Sequence, residues 1–306
     1  MIKIGIVNID TSHPLEFVKS MVGDDRCKFI GVYNDGFRGN DEVDAFCKKF
    51  DIKRYDDLSS LVKDVDIGFI QGCNFDKHVS FAEYFFKENK PVFLDKPMVG
   101  NLSDIEKLEQ YAKSGKIILG SSSVRYCDEI LEYKGEKQGK VQNVFATVGV
   151  DDFNYAIHIA EGVCALIADT PISVTCTYAS KIESMYLVKF SGGQSATMLL
   201  VKERFLNFNF TVITSKVDNV FQINNSKLYK SLLTKICDYL EGDKEAIPNL
   251  SELLIPIRIM LACKIAKESG NEVFLSELSK FNPKFDGYEF EKEYREKAVK
   301  IYLNIR

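Results

Sequence analysis

The chain has 306 residues, 45% of them hydrophobic and 27% charged, with a net charge of −4. That is an ordinary globular composition, long enough for two domains. The negative balance speaks against a nucleic-acid partner, and no apolar run approaches the roughly 20 residues that span a membrane.

Residues 2–7 form a short β-branched run, broken too early by Asn8 and Asp10 to read as a secretory signal, so a cytoplasmic location is expected. A helical stripe follows with Leu15, Val18, Met21 and Val22 on one face, and Phe29–Tyr33 reads as the second strand. Further strands are expected at 65–70, 91–94 and 116–120. They alternate with helices that align Val79, Ala82, Phe85 and Phe86, then Leu102, Ile105, Leu108 and Tyr111. Strand and helix alternating at this spacing predict a parallel sheet covered by helices, a Rossmann-type α/β domain over 1–121.

Beyond residue 121 the rhythm changes. A strand near 140–150 and a helix near 155–167 precede strands around 172–179, 184–190, 194–201, 207–214 and 218–223. Helices follow near 226–241, 251–268 and 288–303. This order predicts an α+β domain over 122–306 with a mostly antiparallel open sheet, the expected seat of substrate binding and oligomerisation. Met185, Leu187, Met198 and Leu200 supply apolar residues at alternating spacing, and a sheet face carrying them is an expected contact between copies in a homo-oligomer.

Eight cysteines are scattered with no C-x-x-C pair, which suggests buried reduced thiols and neither a metal site nor a disulfide framework. The first βα turn is more informative. A dinucleotide-binding turn normally reads G-x-G-x-x-G, because glycine allows the tight turn and the close approach of the pyrophosphate. Here Asn8, Asp10 and His13 stand at the three glycine places. Thr11, Ser12 and the helix N-terminus can offer donors to phosphate. Equally, Asp10, Thr11 and Ser12 can simply cap the helix, with Pro14 in its first turn. A carboxylate at Asp10 also brings a charge that repels pyrophosphate. After the second strand, Asp35 can bind ribose hydroxyls, while the nearby Arg38 suits a 2′-phosphate; Asn34-Asp35-Gly36 is also strong turn chemistry. NAD is slightly favoured over NADP.

The segment Pro91-Val92-Phe93-Leu94-Asp95-Lys96-Pro97-Met98 resembles the acid-Lys-Pro motif of the Gfo/Idh/MocA oxidoreductase family, with Asn89-Lys90-Pro91 as its turn. The match continues through Ser121-Ser122-Ser123-Val124-Arg125-Tyr126 and the late helix from Leu253 to Gly270. Asp10-Thr11-Ser12-His13 resembles a branch in which this tetrad replaces the glycine loop. The resemblance implies a cofactor, NAD or NADP, held by Asn8, Asp10, Thr11, Ser12, His13, Asp35, Arg38, Asp95 and Pro97. It implies Lys96 as proton donor or acceptor beside the nicotinamide. It also implies a catalytic His158 in Tyr155-Ala156-Ile157-His158, on a helix side shared with Tyr155 and Glu161 and distinct from the apolar stripe. Arg125, Tyr126, Asn154 and Tyr155 are candidates for substrate contact. Many relatives place an aspartate four residues before the histidine; this chain has Asn154, with Asp151 or Asp152 as possible substitutes. His78 reads as positional. The implied activity is hydride transfer to or from a secondary alcohol or ketone, of a sugar or cyclitol. The alternatives are a non-catalytic ligand-binding or partner subunit, and redox-assisted elimination or hydrolysis with tightly held NAD.

Overall fold

The computed structural model describes residues 1–120, 122–133 and 137–298. The chain divides into two compact units. The first holds β1 (Ile2–Val7), α1 (His13–Ser20), β2 (Cys27–Tyr33), α2 (Asn40–Phe50), β3 (Lys53–Tyr55), α3 (Leu58–Asp64), β4 (Ile67–Ile70), α4 (His78–Lys87), β5 (Val92–Leu94), α5 (Leu102–Lys113) and β6 (Ile118–Gly120). Six parallel strands lie in the order β3-β2-β1-β4-β5-β6, so the order reverses between β1 and β4. That reversal opens a crevice at the carboxyl ends of the strands, where doubly wound sheets bind ligands.

Helices cover both faces of a parallel sheet, so a central strand needs apolar residues on both sides. All of β4, Ile-Gly-Phe-Ile, is buried. Phe69 packs against Phe93 at 4.8 Å and edge-on against Phe29 at 5.5 Å, each such ring contributing about 2 kcal/mol of burial. Gly68 is glycine for space: a Cβ there would sit 2.2 Å from the ring of Phe85 on α4. Helix starts follow side-chain chemistry, with Asp57 accepting from the Ser60 amide at α3 and Asn101 from the Asp104 amide at α5.

The second unit carries α6 (Asp128–Leu131), β7 (Val141–Val150), α7 (Ala156–Leu166), β8 (Pro171–Ala179), β9 (Glu183–Phe190), β10 (Ser195–Lys202), β11 (Asn209–Thr214) and β12 (Asp218–Gln222). The chain continues through α8 (Leu228–Glu241), α9 (Leu250–Ser269), β13 (Val273–Phe274) and α10 (Gly287–Ala298). Seven strands lie in the order β12-β11-β7-β10-β9-β8-β13; only β7 and β10 pair in parallel. This is the mostly antiparallel sheet expected, with α7 packed on β7 and β10.

Residues 233–250 and the stretch from Asp286 return to the first unit, although they follow the second in sequence. Specific bonds hold α10 there. Gly287 donates to Asp76, Asn74 to Glu291, and Arg38 to the carbonyl of Ala298. The expected final helix ran to residue 303; its positions 299–303 lie outside the described residues, as does Ser121.

Alternation sorts the apolar residues of the second sheet differently from the sequence expectation. Met198 and Leu200 face inward and are fully buried, while Met185 and Leu187 are part-exposed on the other face. The register explains this: Met198 pairs with Tyr186 and Leu199 with Met185, so the outer face carries Leu199 rather than Met198. Phe145 lies on that outer face opposite Thr197, and the exposed Val220 opposite Thr211. No helix among the described residues is long and apolar enough to cross a membrane.

Candidate active site

The turn after β1 works without glycine. Asn8, at the first glycine place, adopts a left-handed conformation with φ of 68°, which asparagine tolerates better than other non-glycine residues. Its Oδ1 accepts from the Asp35 amide at 2.7 Å, and Asn34 Oδ1 accepts from the Ile9 amide at 3.1 Å. Two side-chain amides thus tie the β1 turn to the β2 turn.

Asp10 does not turn back onto the amides of α1. Its carboxylate accepts from the Phe37 amide at 3.0 Å and the Cys73 amide at 3.2 Å, bridging the turns that follow β2 and β4. Only 1% of the residue is exposed. Burial is the main cause that raises its carboxyl from 3.8 to about 6, with Glu291 adding to the rise, while the two amides and Arg38 oppose it. Gly36 must be glycine, since a Cβ there would meet Asp10 Oδ1 at 2.0 Å. Of the residues expected to cap α1, Thr11 does so, accepting from the His13 amide at 3.1 Å; Ser12 makes no side-chain cap.

Arg38 is built into the interior. Its guanidinium donates to the Asp10 carbonyl from Nε and Nη2, to Glu42 from Nη1 and to the Ala298 carbonyl from Nη2. The expected role toward a 2′-phosphate is therefore corrected to an anchor of the β2 turn. Asp35 keeps about half of its side chain exposed, 3.6 Å from Lys77.

At the end of β5, His13 Nδ1 donates to Asp95 Oδ2 at 2.7 Å, with Oδ1 at 3.0 Å. The Asp95 carboxylate also accepts from the Lys96 amide at 2.8 Å, and the Lys96–Pro97 peptide is cis. Burial pushes against the charge on Asp95, but His13 and Lys96 together hold its carboxyl below the usual range. The third glycine place thus supplies the imidazole that fixes the backbone of Lys96. His78 is buried, with its ring nitrogens 2.8 and 2.9 Å from the carbonyls of Gly72 and Met98, which joins the β4 and β5 turns.

In the second unit His158 is buried, although it lies on a helix side distinct from the apolar stripe. The turn at Ser123–Tyr126 covers that side of α7. Ser122 Oγ meets His158 Nδ1 at 2.5 Å, and Arg125 Nε donates to Glu161 at 2.7 Å with both side chains buried. The structure thus places Arg125 in an internal ion pair, whereas the sequence suggested substrate contact. Asp151 accepts from the amides of Phe153 and Tyr155, and Asp152 pairs with Lys202 and Lys267, so both carboxylates have work other than holding the imidazole. Ser122 is the partner that sequence reasoning missed; it lies 36 positions away, and nothing in its spacing marks it. Tyr155 is half-buried, edge-on to His158 at 5.9 Å, and Asn154 and Tyr126 are buried.

A six-stranded parallel sheet of this order, with an acidic residue after β2 and an acid-Lys-Pro turn after β5, defines a Rossmann-type nucleotide-binding unit. Residues 4–122 match the Gfo/Idh/MocA family model described as oxidoreductase family, NAD-binding Rossmann fold. No curated protein sequence matches the chain significantly. Among solved structures it is similar to scyllo-inositol dehydrogenase from Lactobacillus casei with bound NAD(H) and scyllo-inositol, at TM-score 0.74 and 15% identity, over 90% of this chain and 99% of that one. It is also similar to myo-inositol 2-dehydrogenase from Lactobacillus plantarum, at TM-score 0.74 and 11% identity over 89% and 99%. UDP-N-acetylglucosamine 3-dehydrogenase from Acidithiobacillus ferrooxidans matches at TM-score 0.74 and 10% identity over 87% and 97%. At these identities the likeness is one of fold, and it extends across both units.

Proposed function

We propose that this protein is an NAD-dependent oxidoreductase acting on a secondary alcohol or ketone of a cyclitol or sugar. The observation that carries the reading is the turn Asp95-Lys96-Pro97, anchored at the carboxyl end of β5 by His13. Three features make the first unit suited to a dinucleotide. Asn8 provides the left-handed backbone of the first glycine place, Asp10 keeps its carboxylate turned inward, and Asp35 stands part-exposed after β2. Asp35 and the internal engagement of Arg38 favour NAD over NADP.

Bound NAD supplies the hydride acceptor. Lys96 exchanges the proton of the substrate hydroxyl through Nζ. A lysine does this when nearby charge or desolvation brings its pKa toward neutrality. His158 binds the substrate oxygen, oriented by Ser122 at Nδ1. Tyr155, edge-on to the imidazole, and Asn154 are the second unit's further candidates for substrate contact.

The test is a calorimetric titration with NAD and NADP, followed by a screen of inositols and keto-sugars monitored at the nicotinamide absorbance. Binding of NAD with turnover of a polyol supports the reading. Absence of binding by either dinucleotide overturns it in favour of a non-catalytic relative of the same fold. Transient reduction without net cofactor turnover favours redox-assisted elimination or hydrolysis.

A further inference from the structure

In a doubly wound sheet the pyrophosphate of a dinucleotide lies over the turn after the first strand, and the adenosine ribose lies at the acidic residue after the second. The adenine extends from that ribose along the turns that follow β2 and β4, here residues 34–39 and 71–77. In this chain α10, which belongs to the same unit, bridges those two turns. Tyr294 lies against Phe37 of the β2 turn with ring centroids 6.4 Å apart, and Phe290 against Phe75 of the β4 turn at 6.1 Å. Phe290 and Tyr294 stack on each other at 5.5 Å, so a row of rings runs from one turn to the other.

Polar bonds fix both ends of this bridge. The Gly287 amide donates to Asp76 at 2.9 Å and Asn74 to Glu291 at 2.8 Å, while Arg38 donates to the Ala298 carbonyl at 2.9 Å. A row of flat rings between these turns takes the space in which a flat base would stack. Glu291 adds a negative charge beside the crevice, and that charge opposes the phosphates of a nucleotide. The hold is nevertheless shallow. Within α10 only Gly287 and Ala298 are buried, and Phe290, Glu291 and Tyr294 are half-buried. By contrast α9 buries Leu253, Leu254, Ile257, Met260 and Leu261 among others. Buried apolar area sets most of what holds a helix in place, so α10 detaches at far lower cost than α9.

We propose that α10 is a strap over the adenosine end of the dinucleotide site: seated, it excludes the adenine, and a dinucleotide enters by displacing it. The inference rests on the dinucleotide reading given above. It makes the apparent affinity for NAD equal to the intrinsic affinity reduced by the fraction of molecules in which α10 is unseated. ADP carries the same adenosine end without the nicotinamide, so it competes with α10 in the same way.

The experiment uses the full chain. Hydrogen–deuterium exchange across α10 is followed by mass spectrometry for the protein alone, with NAD and with ADP. Calorimetry gives both affinities for the wild type and for the double variant Phe290→Ala, Tyr294→Ala. The expected result is faster exchange in α10 on adding either nucleotide, and binding by the variant tighter by about tenfold or more, as for a strap seated in roughly nine molecules of ten. Lys292→Ala, exposed on the outer side of α10, should leave both affinities unchanged. Exchange in α10 that slows or stays constant while NAD binds, or equal affinities for variant and wild type, would overturn the strap and leave the functional reading standing. Absence of binding by wild type and variant alike would overturn both. The wild-type exchange measurement decides the matter even if the double variant does not fold.

Discussion

His13 and Asp95 stand 2.7 Å apart, nitrogen to carboxylate, and join the turn after β1 to the turn after β5. A glycine-rich turn has no side chain with which to make such a bond. Here the third glycine place carries an imidazole that reaches across the strand order, and the carboxylate it meets also accepts from the Lys96 amide. Of the three residues that depart from the usual fingerprint, His13 is therefore the one that fixes the backbone at Lys96.

The first prediction concerns that pair. His13→Ala and Asp95→Asn should each lower turnover at least tenfold and destabilise the fold by about 2 kcal/mol, the worth of a hydrogen bond to a charged group. The Asp95 carboxyl lies below its ordinary value in the folded protein. Its contribution is therefore full above about pH 4 and is lost as pH falls through the depressed value. Urea denaturation from pH 3 to 7 measures this, and a wild-type curve parallel to that of Asp95→Asn would count against it.

Asp10 has the opposite sign. Its carboxyl is raised to about 6, so between the unfolded value of 3.8 and about 6 the folded state binds more protons than the unfolded one. Stability falls as pH rises through that window, by up to about 3 kcal/mol, and the cost stays in full above it. Asp10→Asn should remove this dependence, so the stability difference between variant and wild type changes from pH 4 to 6.5. Because the carboxylate is turned onto the Phe37 and Cys73 amides, the variant should alter NAD affinity less than threefold. A large gain in affinity would restore the view that Asp10 repels the pyrophosphate.

Lys96→Ala should reduce turnover by about 10²–10⁴-fold while NAD binding stays nearly intact, as expected for loss of a general acid–base group. His158→Ala should act on turnover in the same direction. Ser122→Ala should cost less, about tenfold, and should also shift the pH dependence of turnover, because the partner at His158 Nδ1 is removed. Steady-state kinetics across pH separate these outcomes, and a Ser122→Ala profile that overlays the wild type would deny Ser122 its orienting role.

Gln71 follows β4 and is fully buried, and its side-chain amide has no hydrogen-bond partner among the described residues. Burying such a group costs about 1–3 kcal/mol. Gln71→Met, close in volume, should therefore raise the melting temperature. A lower melting temperature would show that the amide is satisfied in solution.

We infer a homo-oligomer formed through the outer face of the second sheet, where Phe145, Met185, Leu187 and Leu199 share one side. Leu187→Glu should shift the species seen by light scattering at micromolar concentration to a monomer without loss of secondary structure. A wild-type protein that is already monomeric would refute this.

The periodicity of apolar residues determined much of the fold before any coordinates. Alternation and helical stripes placed every strand of the second sheet except the two-residue β13, because a face that must be buried leaves a period in the chain. The motif Asp95-Lys96-Pro97 and the turn residue Asp35 were legible for a similar reason: strand ends and turns are local. What only tertiary structure decided is which distant groups meet. Asp10 faces Cys73, His13 faces Asp95, Ser122 faces His158, and Arg38 reaches Ala298. Register decided that Met198 and Leu200 turn inward while Leu187 and Met185 do not. Local sequence encodes period and backbone preference. The partner of a buried polar side chain is set by strand order and by loops far away in the chain, because a polar group removed from water takes whatever donor or acceptor the packed fold brings to it.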